Sequence, residues 1–136
     1  MGLAERRASK EFQDTQFPAL KAAMDAAAGF SVTLSVNWDQ LAQEGASQGY
    51  AESWPKIYFQ TVIDAFASVA RDAMGKEALK AGLKSVVFQN SAEFYSASSA
   101  ISFKDGVLTV DHGPYTNVDN VRERVDHTIA TLEKAL

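Results

Sequence analysis

The chain has 136 residues, 46% of them hydrophobic and 22% charged, with a formal net charge of −4. That is the make-up of one globular domain spanning 1–136, long enough to bury a core without a metal or a cross-link. There is no cysteine, which excludes disulfides, cysteine-based zinc sites and thiol catalysis.

Charge and patterning narrow the partners. The 13 Lys and Arg residues are scattered, and the nearest approach to a basic run, Arg6-Arg7 with Lys10, is balanced by Glu5 and Glu11. Nucleic-acid phosphates need clustered cations, so no nucleic-acid partner is expected. The opening MGLAERRASKEF lacks the apolar core of a signal peptide, and no stretch reaches the roughly 18 apolar residues of a membrane span. Arg6 stands where a myristoylated chain needs Ser or Thr. The expectation is a soluble, cytoplasmic protein with no membrane partner.

In chain order, residues 3–28 read as helix. Phe17, Leu20, Met24 and Ala27 or Ala28 keep helical spacing, and Gly29 is placed to stop it. Pro18 and the off-stripe Phe12 predict two pieces rather than one rod. SVTLSVN (31–37) alternates, with Val32, Leu34 and Val36 on one face of a half-buried strand. Asn37 is placed to cap a short helix from Trp38 to Glu44, with Gln40 in the capping-box position and Gly45 as the stop.

Ser53 is the predicted start of the next helix, with Pro55 in its first turn. Its stripe of Tyr58, Val62, Ala65, Phe66, Val69 and Ala73, broadened by Ile57, Phe59 and Ile63, marks a central helix covered on more than one side. Gly75 reads as an interruption, followed by a short turn carrying Ala78 and Leu79 and closed by Gly82. LKSVVFQ (83–89) is a second strand. AISFKDGVLTVD (100–111) is a hairpin, because Asp105-Gly106 suits a two-residue type I′ turn. That turn pairs Phe103 with Leu108 and Ile101 with Val110 on one face. The last helix is predicted from Thr116 or Asn117, with Val118, Val121, Val125, Ile129 or Thr128, Leu132 and Leu136 as a narrow apolar seam.

The order predicts an α+β fold. It is an antiparallel β-meander of about four strands, with the DG hairpin at 105–106, covered on one face by N-terminal, central and C-terminal helices.

Both histidines stand in a Val-Asp-His triplet, at 110–112 and 125–127. Hairpin alternation carries His112 to the core-facing side at the strand's end, opposite Ser99, whereas His127 falls away from the apolar seam. The triplets therefore occupy different settings and do not form a duplicated site. Two readings of His112 compete: a half-buried core histidine, or a general base with Tyr95, Ser99 or Tyr115 as hydroxyl partners. Asp111, Asn117, Asp119 and Asn120 cluster nearby, but Asx residues beside a helix start are caps more often than ligands, and no metal is expected. Phosphate-binding and dinucleotide glycine patterns are absent, and no cofactor is expected.

Trp38, Tyr50, Trp54 and Tyr58 form an aromatic group that suits either the end of a core or a binding surface. Two functions follow. One is a non-catalytic binding domain that contacts a protein partner or a small apolar ligand through those aromatics, with self-association as a homo-oligomer through the last helix or a sheet edge. The other is a small cofactor-independent hydrolase, isomerase or lyase with His112 as its base.

Overall fold

The computed structural model describes residues 2–136. Two N-terminal helices, α1 (Leu3–Thr15) and α2 (Phe17–Ala28), break at Gln16, where Pro18 begins the second helix with its missing N–H. Gly29 closes α2 in the left-handed conformation, at φ 88°. Strand β1 (Leu34–Val36) leads to α3 (Trp38–Leu41), capped by Asn37, whose Oδ1 accepts from the Gln40 N–H at 3.2 Å. That helix is one turn long and ends at Leu41, short of the predicted Glu44.

The central helical run begins at Tyr50, not Ser53. It comprises α4 (Tyr50–Trp54), a π-helical stretch from Pro55 to Gln60, and α5 (Thr61–Val69). Pro55 supplies no N–H, so the hydrogen-bond ladder is disturbed where the wider turn starts. Ile57, Tyr58 and Phe59 are consecutive and all fully buried. Such a run is surrounded on several sides, as the breadth of its apolar stripe implies.

Next comes α6 (Ala73–Gly82), capped by Asp72, which accepts from the Gly75 N–H at 2.8 Å. Gly75 therefore lies inside the first turn of this helix and does not interrupt one. A Cβ there would sit 1.7 Å from the Val69 carbonyl oxygen, so the residue is glycine because backbone passes against backbone.

Strands β2 (Ser85–Gln89), β3 (Ile101–Lys104) and β4 (Val107–Asp111) complete a four-stranded sheet in the order β1-β2-β4-β3. The hairpin pairs Phe103 with Leu108 and Ile101 with Val110, and Asp105 and Gly106 both have positive φ, as a type I′ turn requires. The sheet is not an antiparallel meander. Strand β1 pairs with β2 in parallel, and β2 pairs with β4 in parallel; only β3 and β4 are antiparallel. The cause lies in residues 90–100. They form a loop and the short helix α7 (Ala97–Ala100), which carries the chain past the neighbouring position to the far edge. Strand β4 then returns through the hairpin and fills the gap beside β2.

Because 97–100 is helical, the hairpin ladder stops at Ile101, and His112 does not face Ser99. Its N–H instead donates to the Gln89 carbonyl of β2 at 3.1 Å.

Burial alternates along β2 and β4: Val86, Phe88, Leu108 and Val110 are sealed, while Val87 and Thr109 are half-exposed on the opposite face. The sealed face meets α2, α5 and the last helix, α8 (Val121–Ala135), through one continuous apolar cluster. Helix α8 starts at Val121, one turn later than Asn117. Its buried residues are Arg124, Val125, Thr128 and Leu132, so the seam is rotated from the purely apolar one. Val121 and Ile129 lie on its half-exposed shoulder and Leu136 is exposed. No helix among the described residues is long and apolar enough to cross a membrane.

Candidate functional site

Three parallel strands place their carboxyl ends, Val36, Gln89 and Asp111, along one margin of the sheet, which is where ligands of parallel sheets are held. The side chains there satisfy one another. Asp111 accepts from Gln89 Nε2 at 3.1 Å, from the Ser91 N–H at 2.7 Å and from the Ser91 hydroxyl. Glu93, at φ 53°, accepts from Asn90 Nδ2 at 2.6 Å and from Gln43 Nε2 at 2.9 Å. Its carboxylate lies so close to Gly113 that a Cβ there would meet Oε2 at 2.9 Å. The network folds the loop after β2 onto the turn after β4. Among the described residues, no group of three or more His, Asp or Glu side chains is placed to hold a metal ion.

Beneath this margin sits His112, with no exposed surface. Its Nδ1 lies 2.6 Å from the Gly113 carbonyl oxygen, so Nδ1 carries the proton and Nε2 the lone pair. Nε2 is buried without a hydrogen-bond partner among the described residues. Burial pushes the imidazole below the usual histidine range, against the Gly113 carbonyl, and the Arg124 charge adds to the fall. The ring is thus neutral at pH 7. Its backbone carbonyl accepts from the Tyr58 hydroxyl at 2.5 Å, and burial pushes that phenol far up.

Arg124 is the polar residue that sequence reasoning missed. It is only 1% exposed, yet makes no salt bridge to a carboxylate among the described residues. Its guanidinium donates to Thr61 Oγ1 at 3.2 Å and to the carbonyls of Asn117 at 2.6 Å, Val118 at 2.8 Å and Lys56 at 3.4 Å. It thereby ties α8 to the loop before it and to the π-helical stretch. Its place four residues before Thr128 and eight before Leu132 is the one signal of its burial, and residue type argues the other way.

The four residues of the possible catalytic group are not brought together. Tyr95 is 67% exposed, and its carbonyl accepts from Asn117 Nδ2 at 2.6 Å. Ser99 is exposed and bonds Ser96 Oγ at 3.0 Å. Tyr115 is half-buried, its hydroxyl reaching the Leu41 carbonyl at 3.4 Å. None of the three hydrogen-bonds to His112.

The aromatic group is brought together, but inward. Tyr50, Trp54 and Tyr58 are buried, and only Trp38 is half-buried. Tyr50 stacks on Trp54 at 4.4 Å between centroids, and Phe12 meets Trp54 edge-on at 5.0 Å. Phe17 meets Trp38 edge-on at 5.2 Å. These contacts pin the N-terminal helices against the central run. The signal at positions 50, 54 and 58 is the same for a core stripe as for a binding face.

The surface carries shallow depressions. One, about 580 Å³, runs between α5 and α8 and is lined by Ala67, Val121, Val125 and Ile129 together with Asp64, Arg122 and Asp126. A second, about 460 Å³, lies beside Trp38, Asn37 and Gln89 at the β1 edge. His112 lines neither.

No protein-family model matches this chain, and no curated protein or solved structure matches it significantly.

Proposed function

We propose that this chain is a non-catalytic interaction domain whose task is to hold a protein partner. The observation that carries the reading is the setting of His112, which is sealed, neutral and out of hydrogen-bond reach of Tyr95, Ser99 and Tyr115. A general base has to touch the proton it takes. The α5–α8 groove suits a partner of this kind. It is open, and its lining mixes apolar side chains with charges of both signs, whereas a small ligand needs a cavity that encloses most of its surface.

One observation favours the enzyme alternative: the lone pair of His112 Nε2 is buried and unused, as that of a base awaiting a substrate would be. Immobilised wild-type chain, Ile129→Asp and His112→Gln, each checked for folding by circular dichroism, separate the two. A protein held by wild type and His112→Gln but lost from Ile129→Asp supports the interaction reading. A metabolite that raises the melting temperature of wild type but not of His112→Gln, with no groove-dependent protein, overturns it in favour of the enzyme.

A further inference from the structure

We infer that two copies of this chain pair through the free edge of β1, antiparallel about a twofold axis at Ser35, to make one continuous eight-stranded sheet. The inference stands apart from the groove reading, since the two surfaces share no residue.

The backbone of β1 has two sides. Thr33 accepts from the Val86 N–H at 2.8 Å, and the Asn37 N–H donates to Phe88 at 2.9 Å, so the odd-numbered residues face β2. Strand alternation then turns the N–H and C=O of Leu34 and Val36 outward. The strand lies at the sheet's margin, and no hydrogen bond from those four groups to another element occurs among the described residues. The free edge is bounded at both ends. The Val32 N–H, which also faces outward, donates to Asp25 Oδ1 at 2.9 Å, and Trp38 already belongs to α3.

These bounds select both the occupant and the register. In an antiparallel pair, each hydrogen-bonded couple exchanges two bonds, and such couples alternate with unbonded ones. Setting Leu34 against Val36 of the second copy, and Val36 against its Leu34, satisfies all four free groups of each chain. Setting Leu34 against Leu34 would instead call on the Val32 N–H that Asp25 holds. Setting Val36 against Val36 would call on Trp38 in its helix. A second copy supplies the complementary edge by symmetry.

Charge agrees. Residues 31–37 (SVTLSVN) contain no charged residue, no proline and no bulge-forming glycine, three of the devices that keep an edge from pairing. The strand is three residues long, so the pairing is confined to the two bonded couples. In this register Asn37 faces Thr33, and no charged residue of the strand stands opposite another. Leu34 and Val36, half-buried in one chain, would cover each other.

Ser35 is exposed and meets its own copy at the axis, in an unbonded couple where the side chains come closest. Sedimentation up to millimolar concentration should show wild type rising from 14.7 kDa towards twice that mass. Ser35→Lys and Ser35→Glu should each stay monomeric with unchanged circular dichroism, and an equimolar mixture should recover the dimer. Val36→Pro removes an outward N–H without touching the β2 ladder and should also be monomeric. Wild type that stays at 14.7 kDa, or a dimer that survives in both Ser35→Lys and Val36→Pro, overturns the inference.

Discussion

The Tyr58 hydroxyl donates to the His112 backbone carbonyl at 2.5 Å, joining the π-helical stretch to the end of β4 across 54 residues of chain. Both groups are sealed from water, so neither has an alternative partner. Tyr58→Phe keeps the ring and its contact with Phe88 but leaves that carbonyl unpaired. An unsatisfied buried acceptor costs about 1–3 kcal/mol. Urea denaturation should show the unfolding free energy falling by that amount, through a lower midpoint at an unchanged slope; an unaltered midpoint would mean that another donor takes over.

Arg124 makes a larger claim on stability. Truncation to alanine removes four hydrogen bonds at once, to the Thr61 hydroxyl and to the carbonyls of Asn117, Val118 and Lys56. Thr61 and Asn117 keep other partners, in Ile57 and Asn120. One hydrogen bond to a charged donor is worth about 1.5–3 kcal/mol, and several share this group, so the loss should exceed about 3 kcal/mol. Arg124→Lys should recover little, because an ammonium has neither the planar fork nor the reach to serve carbonyls on two elements. Full recovery by lysine would show that the charge matters and the fork does not.

How much of this was legible depended on the range of the signal. The Asp105-Gly106 hairpin was readable because turn chemistry and alternation are local and agree. Strand order was not, because Val86 and Phe88 alternate identically whether the neighbour runs parallel or antiparallel. Only the path of residues 90–100 decides that. Tyr50, Trp54 and Tyr58 were found, but a spacing of four fits a core stripe and a binding face equally. The seam of α8 was placed one step off because an arginine was counted as polar surface. In fact its stem and head are both enclosed.

His112 gives the protein a signed dependence on pH. A histidine in the unfolded chain titrates near 6.5, and in the folded chain burial holds His112 below that. Above the unfolded value neither state holds the proton, and the group contributes no slope. As the pH falls through about 6.5 the unfolded chain takes up a proton that the folded chain refuses, so stability drops until the pH passes the folded value. His112→Gln removes this component whatever its own cost. The stability gap between wild type and variant should therefore be widest near pH 8 and narrow towards pH 5, and His127 cancels in the comparison. A gap independent of pH would show that the buried ring titrates normally.

Two glycines of α6 should respond to alanine with opposite signs. In an open helix interior alanine is better than glycine by about 1 kcal/mol, since it orders with less loss of backbone freedom. Gly82, the last residue of α6, can realise part of that gain. The new Cβ would meet Leu136 Cδ2 at 2.4 Å, but that atom ends a flexible side chain at the chain's exposed last residue and can swing away. Gly75 does not. Its Cβ would fall 1.7 Å from the Val69 carbonyl oxygen and 2.9 Å from the carbonyl carbon, both fixed by the end of α5. Relief there requires α6 to move away from α5, and the same Cβ would lie 3.1 Å from the Asp72 Oδ1 that caps the Gly75 N–H. Thermal melts should place Gly82→Ala at or slightly above wild type and Gly75→Ala well below it. A stabilising Gly75→Ala would show that the two helices do not approach as closely as the backbone contact requires.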